Sequence, residues 1–191
     1  MKKLIISLFT LPFIVYFLTC DRADMQTIAR YGPEPDAIYF FSDNAPYYGD
    51  FSGNDPHTIC NKMYTDYFSS LDVIRIEPFL STTEKDVRDI VPDVYSHVEV
   101  IGVNLSLIQS LISNSWNGLW DGGIDGQIGV AISYWTGSTE SGTLATGNCK
   151  NWTDQAADGF YGDGAVLSAD WIKNTTAVSC SSNHSLVCVG Y

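Results

Sequence analysis

The sequence predicts an α+β fold, and three observations carry that expectation. The first half holds two stretches of helical periodicity set between short apolar runs. After Trp116 the texture changes to Gly-rich turns, isolated Trp residues and brief strand-like runs. Five cysteines in a chain that opens on an apolar leader point to disulfide staples outside the cytoplasm.

The leader comes first. Met1-Lys2-Lys3 is a short positive segment, and Leu4–Leu18 is an apolar run of 15 residues. A membrane span needs about 20 residues, so the run reads as a signal peptide over residues 1–19. Phe17-Leu18-Thr19-Cys20 resembles a bacterial lipobox, in which cleavage leaves a lipidated cysteine at position 20. Phe17 and Thr19 depart from its commonest pattern, and an ordinary secretory signal is the alternative. Residues 20–37, with Gly32, Pro33 and Pro35, read as a tether. The domain is expected over 38–191.

Ile38–Phe41 is a buried strand candidate, followed by a turn-rich stretch from Asn44 to Gly53. Asp55-Pro56 opens a helix, with Asp55 as N-cap and Pro56 at the first helical position. Ile59, Cys60, Met63, Tyr64, Tyr67 and Phe68 mark its apolar face. Val73–Leu80 is strand-like. Ser81-Thr82-Thr83-Glu84 has the form of a capping box, and Val87, Ile90 and Val91 continue at helical spacing to Pro92. Val98–Val103 is the next strand. Leu105–Ile112 fits helix and strand equally. Ile128–Trp135 and Leu186–Val189 are the clearest strands of the loop-rich, antiparallel second half.

Cysteine arithmetic supports the leader reading. With Cys20 acylated, Cys60, Cys149, Cys180 and Cys188 remain, an even set that forms two disulfides. Zinc is the other use of four cysteines, but no C-x-x-C pair is present.

The chain has 191 residues, 10 basic and 22 acidic, with a formal net charge of −12. Cleavage after Thr19 removes Lys2 and Lys3 and no acid, leaving 8 basic against 22 acidic residues, or −14. Such a surface disfavours nucleic acid, heparin-like polyanions and anionic lipid. Four N-x-S/T sequons, at Asn104, Asn151, Asn174 and Asn183, read as chance in a polar surface.

Residues 134–191 carry the most specific pattern. Tyr134-Trp135-Thr136-Gly137-Ser138 is followed by Ser141-Gly142, Cys149-Lys150-Asn151-Trp152 and Asp158-Gly159. Gly162-Asp163-Gly164, Ser179-Cys180 and Leu186-Val187-Cys188-Val189 complete it. In order and spacing this resembles the endostatin domain of the multiplexin collagens, which has the C-type-lectin-like fold. The Ser115-Trp116 to Trp120 segment, the Cys60 helix and the Ile74–Leu80 to Ser81–Val91 step extend the likeness over 38–191. The chain is similar to bacterial surface lipoproteins that carry a related domain of unassigned function. The resemblance implies first-with-last and second-with-third pairing, here Cys60–Cys188 and Cys149–Cys180. The family's heparin arginines and N-terminal zinc histidines do not carry over: Arg22, Arg30, Arg75 and Arg88 are few, and His57, His97 and His184 lie far apart.

Other chemistry is sparse. Asp121 and Asp125 in Asp121-Gly-Gly-Ile-Asp125-Gly are weak calcium candidates, with a turn whose carboxylates serve backbone amides as the alternative. No G-x-S-x-G elbow, H-E-x-x-H helix or phosphate-cradling loop is present, so neither an enzyme nor a cofactor is expected. Trp116, Trp120, Trp135, Trp152 and Trp171 fit core positions better than sugar-stacking ones. The expectation is an envelope lipoprotein at the outer membrane or cell surface, bound to the membrane through lipid on Cys20. It displays a domain for an unknown protein or glycan ligand, or serves a structural role without one.

Overall fold

Ile38–Phe41 forms β1 at the centre of a mixed sheet, because both of its faces find apolar partners. Phe40 packs on Phe79 and Trp116, while Phe41 on the opposite face packs on Phe68 and Tyr64. A strand buried on both faces reads as a continuous apolar run, which is how Ile-Tyr-Phe-Phe appears in the sequence. The computed structural model describes residues 32–191, and Pro33–Tyr191 forms one compact unit. The expected signal segment 1–19 and Cys20 lie outside the described residues. Among the described residues no helix is long and apolar enough to cross a membrane.

Helix α1 (Pro56–Met63) starts as expected: the Asp55 carboxylate accepts from the backbone N–H groups of His57 and Thr58. It then widens into a π-type turn over Tyr64–Phe68. That wider turn puts Phe68 back on the core side, five residues after Met63, and leaves Tyr67 53% exposed rather than on the apolar face. Strands β2 (Ile76–Pro78), β3 (Val100–Val103) and β4 (Gln109–Ser113) follow. The ambiguous stretch 105–112 therefore resolves as a hairpin tip leading into a strand.

The helix expected across Ser81–Val91 does not form; a single 3-10 turn, Val87–Asp89, stands there. Ser81 is buried, and its hydroxyl meets Ser138 and accepts from Val87 N–H. Arg88 gives its N–H to the Gly142 carbonyl, and its own carbonyl accepts from the Trp116 indole. Tertiary partners thus take the groups an α-helix would have used.

In the second half, β5 (Ser133–Trp135) pairs with β7 (Tyr161–Asp163), and β6 (Asp158–Gly159) pairs with β8 (Val178–Ser179), both antiparallel. Of the strand expected over 128–135, only Ser133–Trp135 forms. A second helical segment, Cys149–Trp152, lies between β5 and β6, and all four of its residues have positive φ. A left-handed turn of non-glycine residues costs roughly 1–2 kcal/mol per residue. It is held by the Asn148 side chain accepting from Asn151 N–H and by the Trp152 indole donating to the Ser81 carbonyl.

Strand β9 (Cys188–Gly190) completes the first sheet, whose order is β2-β9-β1-β3-β4. Strands β1 and β3 run parallel, and the other neighbours are antiparallel. Two disulfides, Cys60–Cys188 and Cys149–Cys180, staple α1 to β9 and the left-handed turn to the segment after β8. These are the pairs the resemblance implies. The architecture is α+β with two helical segments, mixed sheet pairing and two disulfides. Trp116, Trp135, Trp152 and Trp171 are buried, so they serve the core.

Candidate functional site

The parallel pair β1/β3 gives the domain two distinguishable ends. Pro33 and Glu34 are held near the start of both strands. The Tyr95 hydroxyl donates to the Pro33 carbonyl, and His97 Nε2 lies 2.9 Å from Glu34 Oε1. At the other end the chain leaves β1 into Asn44–Pro46 and leaves β3 into the hairpin tip at 104–108.

An open groove of about 450 Å³ lies at that far end. Its polar side chains are Asn44, Gln127, Ser133, Asn183, His184 and Ser185. Its apolar ones are Pro46, Val130, Ala131, Ile132 and Ala165. No Asp, Glu, Lys or Arg lines it. The segments that build this end are uncharged in sequence as well: residues 100–120, 126–139 and 164–169 contain none of the four. In a chain with 22 acidic residues this is a distinct surface.

Several bonds fix the groove. Tyr47 and His184 exchange backbone hydrogen bonds, and the Trp135 indole donates to the Tyr47 carbonyl. Ser185 N–H donates to the Ser133 carbonyl, and Trp135 N–H donates to the Ser185 carbonyl. Gln127 Nε2 donates to the Ala165 carbonyl. The close crossing of segment 126–129 over β3 requires Gly102, where a β-carbon would sit 2.3 Å from the Ile128 carbonyl oxygen.

His184 is the one titratable side chain in the lining. Its ring stacks on Tyr161 at 4.2 Å between centroids and meets the Trp135 edge at 4.5 Å. Nδ1 is 2.9 Å from Ser133 Oγ. Burial holds its pKa below the usual 6.5, so the imidazole is neutral at physiological pH. Nε2 makes no hydrogen bond among the described residues, so no carboxylate orients the ring as a catalytic triad requires. The arrangement offers neutral donors and acceptors for binding.

Beside the groove the β3–β4 hairpin exposes Leu105, Leu107, Ile108 and Leu111, and Ile132 on the groove itself is 82% exposed. Asn104 shapes the tip: its Oδ1 accepts from Ser106 and Ile108 N–H, and Leu107 adopts φ +59.

A second groove, of about 460 Å³, lies beside Trp152, Leu80 and Pro56. Its acids are already committed to the fold. Asp55 caps α1, and Asp50 accepts from Ser52 N–H and Gln155 Nε2.

The calcium candidates do not assemble. Asp125 Oδ2 accepts from Asn114 N–H and Nδ2, which is the turn-stabilising alternative. Both Asp121 and Asp125 are exposed, and among the described residues no three His, Cys, Asp or Glu side chains come together to hold a metal. The three histidines stand apart: His57 faces Glu77, His97 faces Glu34, and His184 faces Ser133. Sequence reasoning missed the groove because neutral amides far apart in the chain form no motif. The available signal was the run of uncharged segments. No protein-family model and no curated protein matches the chain.

Proposed function

We propose that the chain is a lipid-anchored protein of the bacterial cell envelope, with an endostatin-like domain of C-type-lectin-like fold that recognises a ligand through the uncharged groove. One observation carries the reading. The groove and the exposed aliphatic hairpin lie at the end of β1 and β3 opposite the point where the chain enters the domain.

The leader ending in Cys20 supports the anchor, and the two disulfides support the fold assignment by matching the family's pairing. The neutral lining supports binding over catalysis. The site accepts a protein segment or an uncharged glycan, and the −14 charge of the cleaved chain disfavours nucleic acid and heparin.

Protease shaving of intact cells is the test. Digestion of the domain from outside is the expected result. Complete protection, with digestion after lysis, would favour a structural role inside the envelope.

A further inference from the structure

We propose that the β3–β4 hairpin is a contact surface between two copies of the chain, which pack their aliphatic tips against each other about a two-fold axis. This goes beyond the recognition reading above and uses the surface beside the groove, not the groove itself.

Leu105, Leu107, Ile108 and Leu111 are all exposed, Ile108 by 64%. Single exposed aliphatic residues are ordinary, but four on one hairpin form an apolar patch, and such patches mark contact sites. The tip also carries strain. Leu107 adopts φ +59, in the left-handed region where glycine or asparagine stands at less cost than leucine. In open solvent the leucine side chain gains nothing that offsets this strain, whereas burial in a contact does. The contact is made by side chains. Past Leu111 the outer edge of β4 is closed by Gly126, where a β-carbon would sit 2.1 Å from the Leu111 carbonyl oxygen, and Gly126 N–H donates to the Ile112 carbonyl. An added strand finds no room there. At the opposite edge of the sheet, β2 carries Glu77 and Pro78, which oppose edge contacts.

Charge selects the partner. Residues 100–120 contain no Asp, Glu, Lys or Arg. Asp43, just after β1 and near the end of β3, is held by the Tyr47 hydroxyl and the Ala45 N–H. A foreign protein docking on a chain with 22 acidic residues gains by meeting those acids with basic groups. A second copy carries the same acids and is repelled by them, so two copies meet at least cost through a face without charge. A two-fold contact asks only that one patch complement itself, and aliphatic tips do so without any charge pattern. A bilayer is the weaker fit, because Asn104–Ser113 offers none of the Lys, Arg, Trp or Tyr residues that hold a segment at a membrane interface.

The test produces two differently tagged copies of the full-length chain in the same cells, with a photo-reactive phenylalanine analogue at Ile108 or, as a control, at Tyr67. Irradiation should give a product carrying both tags from position 108 and none from position 67. With the analogue at Leu105 instead, Ile108→Lys in both copies should lower the doubly tagged product about tenfold. Leu107→Asn, which suits the left-handed position, should lower it comparably without lowering the urea unfolding midpoint, so loss of product is not loss of fold. A doubly tagged product that survives both substitutions, crosslinks from position 108 only to other proteins or to lipid, or no product at all, overturns the proposal. Crosslinks to a foreign protein from Ile132, on the groove, leave the recognition reading standing whatever position 108 gives.

Discussion

Gly49 lies against the Cys149–Cys180 disulfide so closely that a β-carbon built on it would sit 2.3 Å from Cys149 Sγ and 2.8 Å from Cys180 Cβ. Its N–H donates to the Cys180 carbonyl at 2.7 Å, so the backbone cannot retreat without losing that bond. Gly49→Ala should therefore destabilise the domain by about 1–3 kcal/mol through overpacking. Urea unfolding checks this. An unchanged midpoint would mean that the Tyr47–Asp50 segment is looser than the contacts indicate.

The staples differ in what they hold. Cys60–Cys188 closes 128 residues and ties α1 to β9, while Cys149–Cys180 closes 31 and holds the left-handed turn. Chain entropy gives upper limits of roughly 5 and 4 kcal/mol. Cys60→Ala/Cys188→Ala should lower the denaturation midpoint at least as much as Cys149→Ala/Cys180→Ala. The reverse order, by denaturant titration under non-reducing conditions, would show that strain in the left-handed turn outweighs loop length.

How far the sequence could be read depends on range. The Asp55 cap, the Pro56 start and β1 rest on neighbours in sequence, and they form as expected. Ser81–Val91 carries equally good local signals, yet Ser138, Gly142 and Trp116 claim its polar groups. Tyr67 left the apolar face because one wide turn shifted the register, and spacing alone does not reveal such a turn. The groove was least legible: Asn44, Gln127 and His184 meet only after β1, the 126–133 segment and the chain before β9 are assembled.

His184 gives the domain a pH dependence with a definite sign. Burial lowers its folded pKa below the unfolded value of 6.5, so the unfolded state binds more protons just below that pH. Stability is fully present above about pH 6.5 and is lost as pH falls toward the folded pKa. Between about pH 7.5 and pH 5, wild type should lose more stability than His184→Gln, since carboxylate contributions are common to both. Equal losses in paired urea titrations would show that the ring accepts its proton without leaving Tyr161 and Ser133.

The proposed anchoring depends on one sulfur, that of Cys20. The full-length protein should partition into the detergent phase, whereas Cys20→Ala should not. Each buried CH₂ of an acyl chain contributes about 0.8 kcal/mol, and stable anchoring takes more than one chain. A Cys20→Ala protein that is cleaved normally and still partitions with membranes would remove the lipoprotein assignment.

The proposed ligand-binding face is the uncharged end of the domain. A photo-reactive phenylalanine analogue placed at Ile132, 82% exposed on the groove, or at Tyr67, 53% exposed on the π-type turn, tests it in cells producing the full chain. Irradiation should give discrete crosslinked products from position 132 and none from position 67. Crosslinks from 67 alone, or equally from both, would contradict the account.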